Sequence, residues 1–301
     1  MNISGFTLVR NGSKFDYPYL ESVRSLLPAV DELIINVGKG EDETLSQVRK
    51  FAEEEGQGRV KYFESSWPLE NPRKKQGGLI LSEQTNLALE RCSGDWCIYL
   101  QADEVVHESD LPILQSALVA AHSDLRVEGL LFDYLHFYGS YGVIQQTRSS
   151  YRREVRAIRR NSGAKSAGDA QSFRKADGTK LKVLSSGARI FHYGWVRSPD
   201  AMREKTFFMD QLYHGAANPE VGSLPFTGQN YRYKRIWGLR KFEGSHPSVM
   251  SERIEKKGWN WDLKASPLEW SWIDIFKVIL DSFEHLTGLR LFEYRSYREV
   301  R

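Results

Sequence analysis

Two adjacent acids, Asp103 and Glu104, stand just past an apolar run, Ile98-Tyr99-Leu100, from which Gln101 and Ala102 separate them. His107 and Glu108 follow within one further turn, and His192 closes a distant β-prone run, "SSGARIFHYGW". Carboxylate oxygens suit hard divalent cations, and Mg2+ is typically held by one or two carboxylates together with substrate phosphates. An imidazole nitrogen is a ligand that Mn2+ also tolerates. The pattern therefore predicts a divalent-cation site, for Mn2+ or Mg2+, with Asp103, Glu104 and His192 as ligands. Plainer readings stand beside it. Acids after a strand also serve as helix caps or solvated turns, and a His between Phe and Tyr also sits satisfied in a core.

Such a site needs a scaffold, and the first hundred residues supply a rhythm. Short apolar runs at 4–9, 32–37, 60–65 and 96–101 alternate with amphipathic stretches at 17–30, 43–56 and 81–94, the last two ended by Gly56 and Gly94. This alternation predicts a mixed α/β sheet with a parallel core and helices on both faces. In open sheets of that kind ligands sit beyond the carboxyl ends of the strands, which is where Asp103 and Glu104 fall. A capped helix begins at Ser109 or Asp110. Further β-prone runs at 127–142, 153–161 and 181–197 are expected as antiparallel additions. Past residue 213 the texture shifts to Gly- and Pro-bearing loops, Trp-rich segments and a closing amphipathic helix, "WIDIFKVILDSFEHLTG". The expected division is 1–212 for the catalytic domain and 213–301 for a mainly helical C-terminal extension.

With 301 residues and a net charge of +3, the chain is too balanced for a general nucleic-acid binder. Its Arg-rich stretch at 147–160 reads as a solvated face or as a surface for an anionic group. Two cysteines, Cys92 and Cys97, make neither a disulfide framework nor a zinc site, and read as packing residues in a reducing compartment. The N-terminus lacks a signal-peptide pattern and no window is apolar enough to span a bilayer, so the expected location is cytoplasmic. The C-terminal helix could lie on the inner face of a membrane, pack on the main domain, or join a second copy of the chain. "FEGSHPSVMSERI" places His246-Pro247 near an acceptor or merely before a helix.

Four stretches in order, "SGFTLVRNGSKFDYPYLESVRSLLP", "SEQTNLAL", "GDWCIYLQADEVVHE" and "RIFHYGWVR", resemble family-2-type glycosyltransferases of the GT-A fold. The resemblance covers roughly residues 1–210. It implies a nucleotide-sugar donor, a glycan or lipid-linked acceptor, inversion at the transferred sugar and a pathway of glycan or polysaccharide synthesis. The family's acidic metal motif falls on Gln101-Ala102-Asp103: its last, metal-binding Asp matches Asp103, its first acid is replaced by Gln101, and Glu104 is the candidate to compensate. His192 matches a late metal-ligand His. Around the donor, the resemblance assigns Thr7, Leu8, Val9, Arg10 and Asn11 after the first strand. It assigns Gly38, Lys39, Gly40, Glu41 and Asp42 after the second, and Asn86 near the sugar or nucleoside. The family's base-reading Asp aligns near Gly38 and is absent, which leaves the nucleobase open. Arg73, Lys74 and Lys75 could cradle phosphate or acceptor. The general base of an inverting transfer is expected between the metal motif and the late His; Asp169 in "SAGDAQSF" fits, with Asp133 behind it and Glu128 taken as structural. Two rival readings are a degenerate glycosyltransferase-like protein that binds without turnover, and a sugar nucleotidyltransferase of related fold.

Overall fold

The computed structural model describes residues 1–148, 150–214, 231–270 and 272–300; the loop sequence at 218–230 lies outside them. Two strands, β1 (Ile3–Val9) and β2 (Glu32–Gly38), are buried at every residue, as parallel strands covered on both faces must be. With β3 (Val60–Ser65) and β4 (Trp96–Tyr99) they form the parallel core, in the order β4-β1-β2-β3. Alternate side chains leave opposite faces of this sheet. Ile3, Val9, Leu33 and Ile35 pack with helices α1 (Tyr19–Leu26), α2 (Thr44–Glu54) and α4 (Leu111–Ser123). Phe6, Leu8 and Ile34 pack on the other side, with α3 (Leu79–Leu89). Cys92 and Cys97 are free thiols buried in that second layer.

Beyond Asp103 the chain turns into the short β5 (Glu104–Val106), and the sheet then widens. Strand β6 (Gly129–Tyr138) turns into β7 (Ser140–Gln145), and β8 (Arg153–Arg159) runs antiparallel between β6 and β4. The small hairpin β9 (Ala164–Ala167) and β10 (Ser172–Lys175) follows. The long β11 (Lys182–Trp195) lies beside β6 and crosses β5. Here one expectation is corrected: β7 and β8 are antiparallel additions, but β6 and β11 run parallel to each other. The late segment joins the same sheet, through β12 (Leu239–Lys241) on β7 and β13 (Arg298–Glu299) on β11. It also contributes α6 (Ser251–Glu255) and α7 (Trp272–Thr287). Helix α5 (Pro199–His214) was not anticipated, and it lies over the carboxyl ends of the core strands. Among the described residues no helix is long and apolar enough to cross a membrane.

Candidate active site

Where β1 and β4 run out, a cavity of about 380 Å3 opens beneath α5. Val9 and Arg10 line it from β1, Gln101, Ala102 and Asp103 from β4, His192 and Gly194 from β11, and Lys205 and Phe208 from α5. Asp169 and Tyr213 also line it.

Asp103 is buried, and its two oxygens have different partners. Oδ2 accepts from the Lys205 ammonium at 3.1 Å and lies 3.7 Å from the Arg197 guanidinium; Oδ1 faces His192 Nε2 at 3.7 Å. Burial alone would raise the carboxyl's pKa, but the Lys205 and Arg197 cations hold it below the ordinary range, so it is ionised. Burial brings the Lys205 ammonium down to about 8, with Arg197 acting in the same direction against Asp103. Arg197 is itself fully buried over the Tyr17 ring, and its Nε and Nη2 have no hydrogen-bond partner. Gly194 permits this crowding: a Cβ there would meet His192 at 2.5 Å.

The tautomer of His192 follows from its neighbours. His136 Nε2 lies 2.7 Å from the Tyr151 carbonyl, which only accepts, so that nitrogen carries the proton. Burial, then His192, pushes the His136 imidazole down to about 3, so it is neutral and its Nδ1 accepts. The 2.8 Å contact between the two Nδ1 atoms therefore has His192 donating. His192 is also held neutral by burial, and its Nε2 lone pair is left facing Asp103 Oδ1. Two acceptors 3.7 Å apart with no proton between them are a donor set for a cation. Among the described residues no three His, Cys, Asp or Glu side chains gather as a ligand cluster. A divalent ion here would take two protein ligands and complete its shell from a substrate.

Glu104 is corrected as a ligand. It has no exposure; Arg156 grips both its oxygens at 2.8 Å, and the Tyr134 hydroxyl and the Gln101 backbone N–H donate to them as well. Its capacity as an acceptor is spent on the fold. Arg156 also donates to the Gln171 carbonyl at 2.8 Å, which ties the acidic turn to the loop that carries Asp169.

Asp169 is half-buried, with Oδ2 accepting from the Tyr213 hydroxyl at 3.1 Å and Oδ1 from the Gln171 N–H at 3.2 Å. Asp133 is exposed on β6 and opens on a different cavity, and Glu128 pairs with Lys175. Arg10 donates to the Lys39 carbonyl at 2.8 Å while its guanidinium lies over Trp67 and Phe208, 5.9 and 5.3 Å from the ring centres. Trp67 explains Gly38, since a Cβ there would strike the indole nitrogen at 2.4 Å.

Several expected donor contacts fall elsewhere. Thr7 is buried in β1 and does not line the cavity. Asn11, at φ 52°, accepts from the Glu41 N–H, and Asp42 accepts from the Lys14 and Thr44 N–H groups, so both fasten loops. Asn86 exchanges two hydrogen bonds with the Ser166 backbone and anchors β9. Lys74 pairs with Glu83, and none of Arg73, Lys74 and Lys75 reaches the cavity. His107 accepts from the Ser109 N–H, and His246 packs against Phe137 and contacts the Tyr193 hydroxyl at 2.9 Å. Conversely, Lys205, Arg197, Tyr17, Trp67 and Phe208 were not singled out in advance; only Arg197 and Tyr17 lie in quoted motifs.

No protein-family model matches the chain, and no curated protein matches it. Solved structures do align with it. S. aureus TarS does so at 17% identity and a TM-score of 0.39, over 69% of this chain and 39% of that one. GalNAc-T7 with UDP, GalNAc and Mn2+ aligns at 15% identity and a TM-score of 0.41, over 85% and 53%. The mannosyltransferase PcManGT from Pyrobaculum calidifontis, with GDP-Man and Mn2+, aligns at 18% identity and a TM-score of 0.28, over 43% and 34%. The chain thus spans well under two thirds of the length of each, and the likenesses are distant ones from which no activity is carried over.

Proposed function

We propose that this chain transfers a glycosyl group from a nucleotide-sugar donor to an acceptor hydroxyl, with inversion at the anomeric carbon. The observation that carries the reading is the division of Asp103: one oxygen faces a His lone pair, the other faces two buried cations, at the strand-end rim of a parallel sheet. Lys205, which lines the cavity, and the fully buried Arg197 behind Asp103 bring more positive charge than Asp103 alone balances, which favours an anionic group such as a diphosphate in the cavity. In the same cavity Trp67, Phe208 and Arg10 offer flat surfaces on which a base can stack.

In this scheme the acceptor oxygen attacks the anomeric carbon as Asp169 takes its proton. The bond from that carbon to the diphosphate oxygen breaks, and the nucleoside diphosphate leaves with the electron pair. Lys205 and Arg197 stabilise the charge that gathers there. A divalent cation, Mn2+ or Mg2+, would be held by Asp103 and His192 and would add positive charge at the same place. Tyr213 and the Gln171 N–H orient the Asp169 carboxylate.

The test is nucleotide release and sugar transfer across a panel of UDP-, GDP-, TDP- and CMP-sugars, with and without Mn2+ or Mg2+. Asp169→Asn is expected to hold donor affinity within about twofold while turnover falls by about 10^2–10^4. Unchanged turnover removes Asp169 as the base. Donor binding that never releases nucleotide, with acceptor and metal present, overturns the transfer itself.

A further inference from the structure

Helix α7 is mounted the wrong way round for a protein surface in water. Its charged residues point at the body: Asp281 pairs with Arg148 at 3.2 Å, and Glu284 with Arg148 and Arg152 at 3.1 and 2.9 Å. Just beyond the helix, Glu293 is held by Arg152 and Arg290. These acids and Arg148 are largely shielded, while Trp272, Ile275, Phe276, Ile279, Phe283 and Leu286 face outward. Trp272 is 88% exposed, Phe276 69% and Leu286 83%. Spacings of three, four and seven put these side chains on one stripe, the reverse of the usual apolar-inward helix. The stripe continues past the helix into Phe292 and Tyr294, and before it into Trp270, whose ring lies 5.5 Å from Trp237. So large a connected apolar surface marks a docking face.

We propose that this face seats on an anionic lipid bilayer, with α7 lying in the plane of the interface. Charge decides the occupant. The acids of the segment are spent on the protein side, and the cations stand at the rim. At one end Arg174 donates to the Tyr294 hydroxyl and Lys180 lies 4.9 Å over its ring. At the other, Arg240 is exposed on β12, and among the described residues it has no ion-pair partner. Arg240 shares a cavity wall with Trp237 and with His285 of α7, which sets it beside the stripe. A two-fold contact with a second copy would set these cations against their own copies. An anionic headgroup layer meets them directly, and Trp and Tyr among aliphatic side chains suit its boundary. At 16 residues α7 is long enough to lie in the interface and too short to span the hydrocarbon core, which needs about 20. The docking stands independently of the glycosyl-transfer reading. The two meet in a groove of about 800 Å3, walled by Phe276 and Leu280, that also reaches Tyr151 and Asp169.

Flotation of the full chain with vesicles tests the proposal. Wild type is expected to rise with phosphatidylcholine vesicles containing about 30% phosphatidylglycerol, and at least about tenfold less with phosphatidylcholine alone. Phe276→Glu with Ile279→Glu, both at exposed positions, is expected to keep the wild-type melting temperature and lose at least about tenfold in vesicle partition. Arg240→Glu is expected to lower partition into the phosphatidylglycerol vesicles at least about fivefold. The proposal is overturned if wild type floats with neither vesicle, or if the Phe276/Ile279 variant floats as well as wild type. It is equally overturned if light scattering finds a dimer that the same double substitution dissolves while flotation is absent.

Discussion

Asp103→Asn lowers turnover by about 10^3-fold or more, while the chain stays folded and still binds nucleotide. The substitution keeps the volume and removes one negative charge. In the native cavity that charge faces Lys205 at 3.1 Å and Arg197 and His192 at 3.7 Å, and the two cations, Lys205 and Arg197, keep the carboxylate ionised despite its burial. An amide has no charge to offer a cation beside His192 Nε2, and it can turn its NH2 toward that lone pair. Lys205 loses its charged partner and keeps a neutral amide oxygen, the Gly194 carbonyl at 2.7 Å and the Tyr17 ring. Both effects act where the leaving diphosphate would gather charge, so kcat drops far more than donor affinity. Steady-state nucleotide release with saturating Mn2+, alongside calorimetric titration of the same donor, separates the two. An Asp103→Asn enzyme that keeps turnover within about tenfold of wild type would show that the reacting centre lies elsewhere.

How far the fold could be read in advance depended on whether local pattern carried the information. β1 and β2 are buried on both faces and carry short apolar clusters, such as Leu33-Ile34-Ile35, and such clusters stand out in a sequence. Helix α5 does not stand out, since Phe208 and Met209 line a cavity rather than the core and dilute the helical apolar stripe. The parallel pairing of β6 with β11 joins residues far apart in the chain, such as Leu131 with Ser185, and no local signal specifies it. β5, three residues long, is below what periodicity resolves.

At the site, Asp103 and His192 drew attention as polar residues next to apolar ones, and the pairing of β11 with β5 sets them side by side. The neighbouring acids were not separable by composition. A tight turn, closed by the Glu104 N–H on the Gln101 carbonyl at 3.0 Å, separates the two, so Asp103 enters the cavity and Glu104 the interior, where Arg156 waits. Asn11, Asp42 and Asn86 sit at loop and helix positions where short polar side chains often bond nearby backbone, and here that use prevails. Lys205 carried no signal at all, being one Lys on a charged helix until α5 is folded over the rim.

The interior pair yields the largest expected effect on stability. Arg156→Leu leaves Glu104 buried without its partner and is expected to cost about 3–5 kcal/mol, a fall in melting temperature on the order of 10 °C. The native guanidinium is fully buried, holds both Glu104 oxygens at 2.8 Å and lies 5.4 Å from the Tyr99 and Tyr134 ring centres. Lysine cannot reproduce the two-pronged grip, so Arg156→Lys is expected to recover little. Neutralising both partners, Glu104→Gln with Arg156→Met, removes the stranded charge and still lets Tyr134 donate; at least about half of the lost stability returns. Activity in that double variant stays low even at temperatures where it is folded, because the bond from Arg156 to the Gln171 carbonyl no longer steadies the Asp169 loop. Thermal melts of the three variants, each paired with a transfer assay well below its melting point, read the two effects apart. If the double variant melts no higher than Arg156→Leu, the loss comes from packing around Tyr99 and Tyr134 rather than from an unpaired carboxylate.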